Sequence, residues 1–185
     1  MDALVPALIA ALLAGVGDKP ALFAARMRDR YRAAPILSGF LLAQVIACAI
    51  AVGGALLVAP LLTPNAKALL LALALITGGA GGVLRRIAVA PDRSARGPAM
   101  AFGEMVVLAL TDRASFITFA LAVRGAEPAL AGVGATIGAV ALAGVAVTLG
   151  SAGWRALPLR WLSLTGGAML VVVGVIAGLG GLRLI

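Results

Sequence analysis

The chain has 185 residues, 63% of them hydrophobic and 12% charged, with 15 Lys+Arg against 7 Asp+Glu and a formal charge of +8. An average soluble domain is about 25% charged, so a water-soluble fold is excluded and the bilayer is the fitting solvent. With no histidine and one cysteine, disulfide frameworks, zinc sites and histidine-based catalysis are excluded too, and no phosphate loop or basic aromatic-interleaved patch points to nucleic acid.

A helix crosses the hydrocarbon with about 20 apolar residues, and six stretches qualify. The first runs roughly from Ala3 to Ala25. It lacks the basic start of a signal peptide, carrying Asp2 instead, and the charged pair Asp18–Lys19 stands where a cleavage site would fall. Gly15, Gly17 and Pro20 bracket Asp18. Proline removes a donor and crowds the preceding turn, so a kink or break is predicted there. Carbonyls freed beside a carboxylate are the hard oxygen ligands that Ca²⁺, Mn²⁺ and Mg²⁺ prefer.

A basic stretch with Arg26, Arg28, Arg30 and Arg32 precedes the second span, Ala34 to Leu57. Within it Gln44 suits a helix–helix hydrogen bond and Cys48 a small core position. After Pro60 to Asn65 comes the third span, Ala66 to Leu84, and then the polar segment Arg85 to Pro98. The fourth span, Ala99 to Val123, carries Glu104, Thr111, Asp112, Arg113 and Ser115. Thr111 and Ser115 add oxygen donors, but no break comparable to that at Pro20 is expected. Glu104 lies two turns before Asp112, which puts both carboxylates on one helix face about 12 Å apart. That spacing suits successive stations on a cation or proton path, unless Glu104 is only a solvated end residue. The fifth and sixth spans run from Ala129 to Gly153 and from Leu159 to Leu182. The pairs Gly78/Gly82, Gly134/Gly138 and Gly174/Gly178 have the spacing that lets backbones approach closely. Trp154 and Trp161 flank the last turn as interfacial aromatics.

Loop charge predicts the orientation. The first, third and fifth loops hold ten basic residues: the four arginines above, Arg85, Arg86, Arg93, Arg96, Arg155 and Arg160. The second and fourth hold only Lys67 and Arg124. The odd loops are therefore expected in the cytoplasm, with both termini outside.

Three spans plus three suggest an internal repeat. Setting Asp18 over Asp112 aligns Gly17–Asp18–Lys19–Pro20 with Thr111–Asp112–Arg113–Ala114, and Thr77–Gly78–Gly79–Ala80 recurs as Thr165–Gly166–Gly167–Ala168. The expected fold class is all-α integral membrane: six transmembrane helices as two inverted three-helix repeats in one transmembrane domain over residues 1–185. The repeats cover about 1–86 and about 97–185. Such repeats place a substrate site near the midplane, where the halves meet, and Asp18 would then face Asp112.

A charge at the bilayer centre costs about 2.5–3.5 kcal/mol even on the lenient insertion scale. Asp18, Lys19, Glu104, Asp112 and Arg113 should therefore face the bundle interior or an aqueous cavity. The natural pairs are crosswise, Asp18 with Arg113 and Asp112 with Lys19, either as structural locks or as parts of a transport pathway.

These residues together resemble a family. The two acid–base blocks look like the duplicated E-x-G-D-[KR]-[ST] signature of the small six-span Ca²⁺/Mn²⁺ cation–proton antiporters of Golgi and bacterial membranes, in the lysine-exporter superfamily. Gly17, Asp18 and Lys19 stand as in that signature, while Gly15 replaces its glutamate and Pro20 its hydroxyl residue. In the second block Asp112 and Arg113 match; Ala109 replaces the glutamate, Thr111 the glycine and Ala114 the hydroxyl residue. The resemblance implies Asp18 and Asp112 as the cation ligands, exchanging a metal ion, Mn²⁺ or Ca²⁺ favoured, for protons. Asp18 and Asp112 against Lys19 and Arg113 sum to zero, and Glu104 brings the total to −1. A site so close to neutral has little reason to hold a dehydrated divalent cation, and it suits a zwitterion.

The sequence thus predicts a multi-pass protein of a bacterial inner membrane and a secondary transporter, not an enzyme. Its partners would be the lipid bilayer, the transported cation and the proton, with no cofactor and no nucleic acid; homo-oligomerisation stays open. Asp18, Asp112, Glu104, Thr111 and Ser115 are the candidate transport residues, Lys19 and Arg113 their ion-pair partners, and Gly15, Gly17 and Pro20 the helix break. Export of an amino acid or other small metabolite, and a transport-inactive scaffold held by ion pairs, are the other readings.

Overall fold

The computed structural model describes residues 3–84 and 98–182. The basic residues Arg85, Arg86, Arg93 and Arg96 of the third loop, and Asp2, lie outside the described residues. Eight α-helices are formed among the described residues: α1 (Leu4–Gly15), α2 (Lys19–Arg28), α3 (Ala33–Val58), α4 (Pro64–Leu84), α5 (Pro98–Leu110), α6 (Arg113–Arg124), α7 (Pro128–Ala156) and α8 (Leu159–Gly181). A short 3₁₀ turn, Ala59–Leu61, extends α3.

Four helices are long and apolar enough to cross a membrane, and up to six spans result if each of two bent pairs is one span. The bent pairs are α1–α2, which turns by 69°, and α5–α6, which turns by 52°. The first bend falls where Gly15, Gly17 and Pro20 predict it. The second corrects the sequence expectation that the fourth stretch runs unbroken. No proline or glycine marks it; the chain leaves the helix at Thr111–Asp112, and Asp112 starts the next helix as its N-cap.

The packing inverts that of a soluble protein. The buried face of α1 is Ala7, Ala10, Ala11 and Ala14, a helical i, i+3, i+4, i+7 stripe. Large side chains such as Leu56, Leu57, Leu73, Val172 and Ile176 point outwards. In lipid, apolar bulk gains nothing from burial between helices, so small residues that bring backbones together occupy the interfaces. The carbonyls of Leu4 and Leu8 lie where side chains would start at Gly134 and Gly138, so α1 runs alongside α7 in the same direction. The same relation holds between α5–α6 and α3: Met105 lies beside Gly39, and Phe119 beside Gly54. Each bent pair therefore lies along the long helix of the other half of the chain. The α4–α8 contact is the most extensive in the fold and is antiparallel, with Gly181 beside Ala68 and Gly174 beside Ile76.

At the centre of that contact Gly79 and Gly167 face one another. A Cβ on Gly79 would stand 2.5 Å from the Gly167 carbonyl oxygen, and one on Gly167 would stand 2.6 Å from that of Gly79. Backbone cannot yield as a side-chain tip can. Gly79→Val is expected to destabilise the protein by about 1–3 kcal/mol through overpacking. Gly53→Ala, with open space around the position, should change little. Thermal unfolding of the purified protein compares the two, and equal losses would contradict this packing.

Trp154 is a second correction. It does not lie in an interfacial belt: it is 2% exposed and packs with Ala21, Leu22, Ala25, Ala146 and Leu159. The cause is a break in α7 at Gly150 (φ 65°), where the Ser151 N–H donates to Asp29 Oδ1 at 3.4 Å. This redirects the last turn of α7 and turns the indole inward. Trp161, 69% exposed, stays on the outer face.

Candidate functional site at two helix breaks

The two bends put the two aspartates in equivalent local positions. Asp18 is the N-cap of α2 and Asp112 the N-cap of α6, both with extended backbone. A carboxylate is favoured at a helix N-terminus by the orphan N–H groups and the helix dipole, and Asp18 Oδ1 accepts from the Lys19 N–H at 2.8 Å. Gly17 turns the chain with φ 75°, a conformation that costs most other residues about 1–2 kcal/mol. Pro20 sits in the first turn of α2, where its missing donor would be unpaired anyway. It starts the second helix of the pair rather than kinking one continuous helix.

Arg113 joins the two breaks. Its Nε donates to Asp18 Oδ2 at 2.8 Å, one Nη to the Gly78 carbonyl at 3.1 Å and the other to the Ala14 carbonyl at 2.9 Å. The Ala14 carbonyl belongs to the last turn of α1, which has no helical donor to accept from. Both partners are withdrawn from solvent, the arginine side chain 16% and the aspartate 5% exposed. The arginine lies against α4 where Gly81 and Gly82 leave room: a Cβ at Gly81 would come within 2.9 Å of its Cδ, and one at Gly82 within 3.1 Å of an Nη. The glycine cluster on α4 thus has two faces, one closing on α8 and one holding the arginine.

Of the two expected crosswise pairs, the structure forms Asp18–Arg113. The Asp112–Lys19 pair is absent among the described residues. Asp112 instead meets Asp18 side chain to side chain. Its Oδ1 is buried with no hydrogen-bond partner, and the residue lines a small cavity with Gly15, Pro20, Phe40, Ala139 and Leu142. Two ionised carboxylates in contact repel, and a shared proton would relieve that repulsion.

The other sequence candidates divide. Ser115 is buried at the second break, and its Oγ donates to the Ala109 carbonyl at 2.6 Å, a group left open where α5 ends. Thr111 is exposed, and its hydroxyl donates to Val107 O at 2.8 Å on its own helix. Glu104 is half-buried on α5, with no partner among the described residues. Gln44 is fully buried, and its amide contacts Cys48 Sγ at 3.6 Å one turn along α3, so the expected helix–helix bond is replaced by one within the helix. Sequence reasoning missed the Ala14 and Gly78 carbonyls. The glycine cluster Gly78, Gly79, Gly81, Gly82 was the available signal, since a groove that wide exceeds what one helix contact needs.

Among the described residues no group of three or more Cys, Asp or Glu side chains could hold a metal ion; backbone oxygens would have to complete any cation shell here. No curated protein and no solved structure matches the chain. Residues 98–183, which contain the second break with Asp112 and Arg113, match the family model of the divalent cation/proton antiporter GDT1, and this is the family that the two acid–base dipeptides resemble.

Proposed function

We propose that the chain is a secondary antiporter that exchanges a divalent cation, Mn²⁺ or Ca²⁺, for protons at the meeting point of the two helix breaks. In this reading each bent pair is one span. Six spans then form a single transmembrane domain of two inverted repeats, about 1–86 and 97–185, in a bacterial inner membrane, with loops one, three and five cytoplasmic. The cross-packing of each bent pair on the other half supports that layout. The observation that carries the function is the contact of Asp18 with Asp112, each capping a helix that starts inside its bent pair, beside Arg113.

Asp18 is the cation ligand and Asp112 the group that takes the proton. A shared proton relieves the repulsion between them, and an arriving cation relieves it equally well; the two therefore compete, and competition at one site couples two fluxes. Ser115 holds the second break in shape, and Glu104 relays protons along α5. Lys19, unlike Arg113, stays outside the carboxylate cluster. The near-neutral charge count also suits a zwitterion, which keeps amino-acid export as the second reading.

Reconstituted vesicles decide between them. An outward-directed proton gradient should drive Mn²⁺ or Ca²⁺ uptake and leave lysine and alanine unmoved; amino-acid flux without cation flux would refute the proposal, and no flux of either kind would leave the scaffold reading. Thr111→Val should leave cation uptake unchanged, because the hydroxyl serves its own helix. Glu104→Gln should slow uptake without abolishing it.

A further inference from the structure

Arg113 occupies the kind of space a substrate cation would need. Its guanidinium is a cation held by three oxygens from three different helical segments: Asp18 Oδ2 at the start of α2, the Ala14 carbonyl at the end of α1 and the Gly78 carbonyl on α4. One carboxylate with backbone carbonyls is a donor set that Ca²⁺ accepts, and waters commonly complete it. The C-terminal end of α1 adds the negative pole of its helix dipole. Its glycine-lined seat on α4 gives the arginine stem a track along Gly78, Gly81 and Gly82.

We propose that the Asp18, Ala14 and Gly78 oxygens form the substrate cation site, and that Arg113 is a tethered cation which holds this site between cycles and competes with the substrate for it. The inference rests on the antiport reading and assigns its ligands. When a divalent cation enters, the guanidinium leaves the cage. Asp112, the preceding residue, has an Oδ1 with no partner and can receive it. In the meantime the arginine keeps an empty site from standing as an unpaired buried charge.

The test is equilibrium Mn²⁺ binding to the purified full chain in detergent. Arg113→Gln removes the competitor and should tighten Mn²⁺ binding by about tenfold or more, since one adjacent positive charge is lost. The double variant D18N/R113Q should lose that gain, and Arg124→Gln, an exposed cation elsewhere, should bind as the wild type does. Unchanged or weaker binding by folded R113Q, or equally tight binding by D18N/R113Q, overturns the proposal. If R113Q does not fold, Arg113→Lys keeps the charge but cannot span three acceptors. It too should bind Mn²⁺ more tightly than wild type, and weaker or equal binding overturns the cage. Vesicle flux separates the two ideas. Wild-type cation transport with no tightening in R113Q sinks the cage alone, whereas tightening in R113Q without wild-type transport upholds the cage and sinks the antiporter.

Discussion

Asp18→Asn is expected to cost about 3–5 kcal/mol of stability, the penalty for breaking a buried ion pair from one side. Arg113 would keep its charge, its two carbonyl contacts and its low exposure, but lose the carboxylate it is paired with. Asp112→Asn is expected to cost about 1 kcal/mol or less, because among the described residues no cation is paired with that carboxyl and an amide can still hydrogen-bond to Asp18. The two aspartates occupy equivalent positions in their broken helices, so a purely structural role for both would predict similar losses. The asymmetry is the signature of one pair formed and one not. Unfolding of the purified variants measures it. The double variant D18N/R113Q should recover part of the loss, as contacting residues do in a mutant cycle; equal destabilisation by D18N and D112N would contradict the pairing described here.

Asp112→Asn should nonetheless abolish proton-driven cation uptake, reducing it by about 100-fold or more, the usual scale for losing a group that carries a proton. The protein folds, the cation ligand Asp18 is intact, and the arginine still has its seat; what is missing is a group that can release a proton when the cation enters. Exchange of labelled Mn²⁺ for unlabelled Mn²⁺ needs no net proton movement and should survive in D112N. Vesicles loaded with Mn²⁺ at equal pH on both sides read this exchange directly. Retained proton-driven uptake in D112N would remove Asp112 from the mechanism, and loss of both modes would make it a cation ligand instead.

The helices were legible because the segments that separate them are chemically unlike the hydrocarbon. Charged runs and Pro–Asn turns end the spans, and the observed helices start and stop within a few residues of them. The first break was legible for the same kind of reason, since Gly15, Gly17 and Pro20 each weaken a helix locally. The second was not, because Thr111–Asp112–Arg113 contains no helix breaker. The Asp112 side chain makes no cap hydrogen bond there; what accompanies the break is Arg113 reaching the Ala14 and Gly78 carbonyls, which are distant in sequence. Trp154 misled for a related reason. Its position next to a turn suggests an interface, but the positive φ at Gly150 and the Asp29–Ser151 contact, 122 residues apart, turn it inward. What one segment dictates could be read from the sequence; what two distant segments settle between them could not.

Coupled exchange requires a cation and a proton to compete at the Asp18–Asp112 contact. Purified protein in a weakly buffered solution tests this without any membrane: Mn²⁺ is added, bound metal is counted, and released protons are followed with a pH indicator. The wild type should release protons in proportion to the Mn²⁺ it binds, and D112N should bind Mn²⁺ with that release lost. Proton release from D112N equal to that of the wild type, or Mn²⁺ binding by the wild type with no release at all, would contradict it.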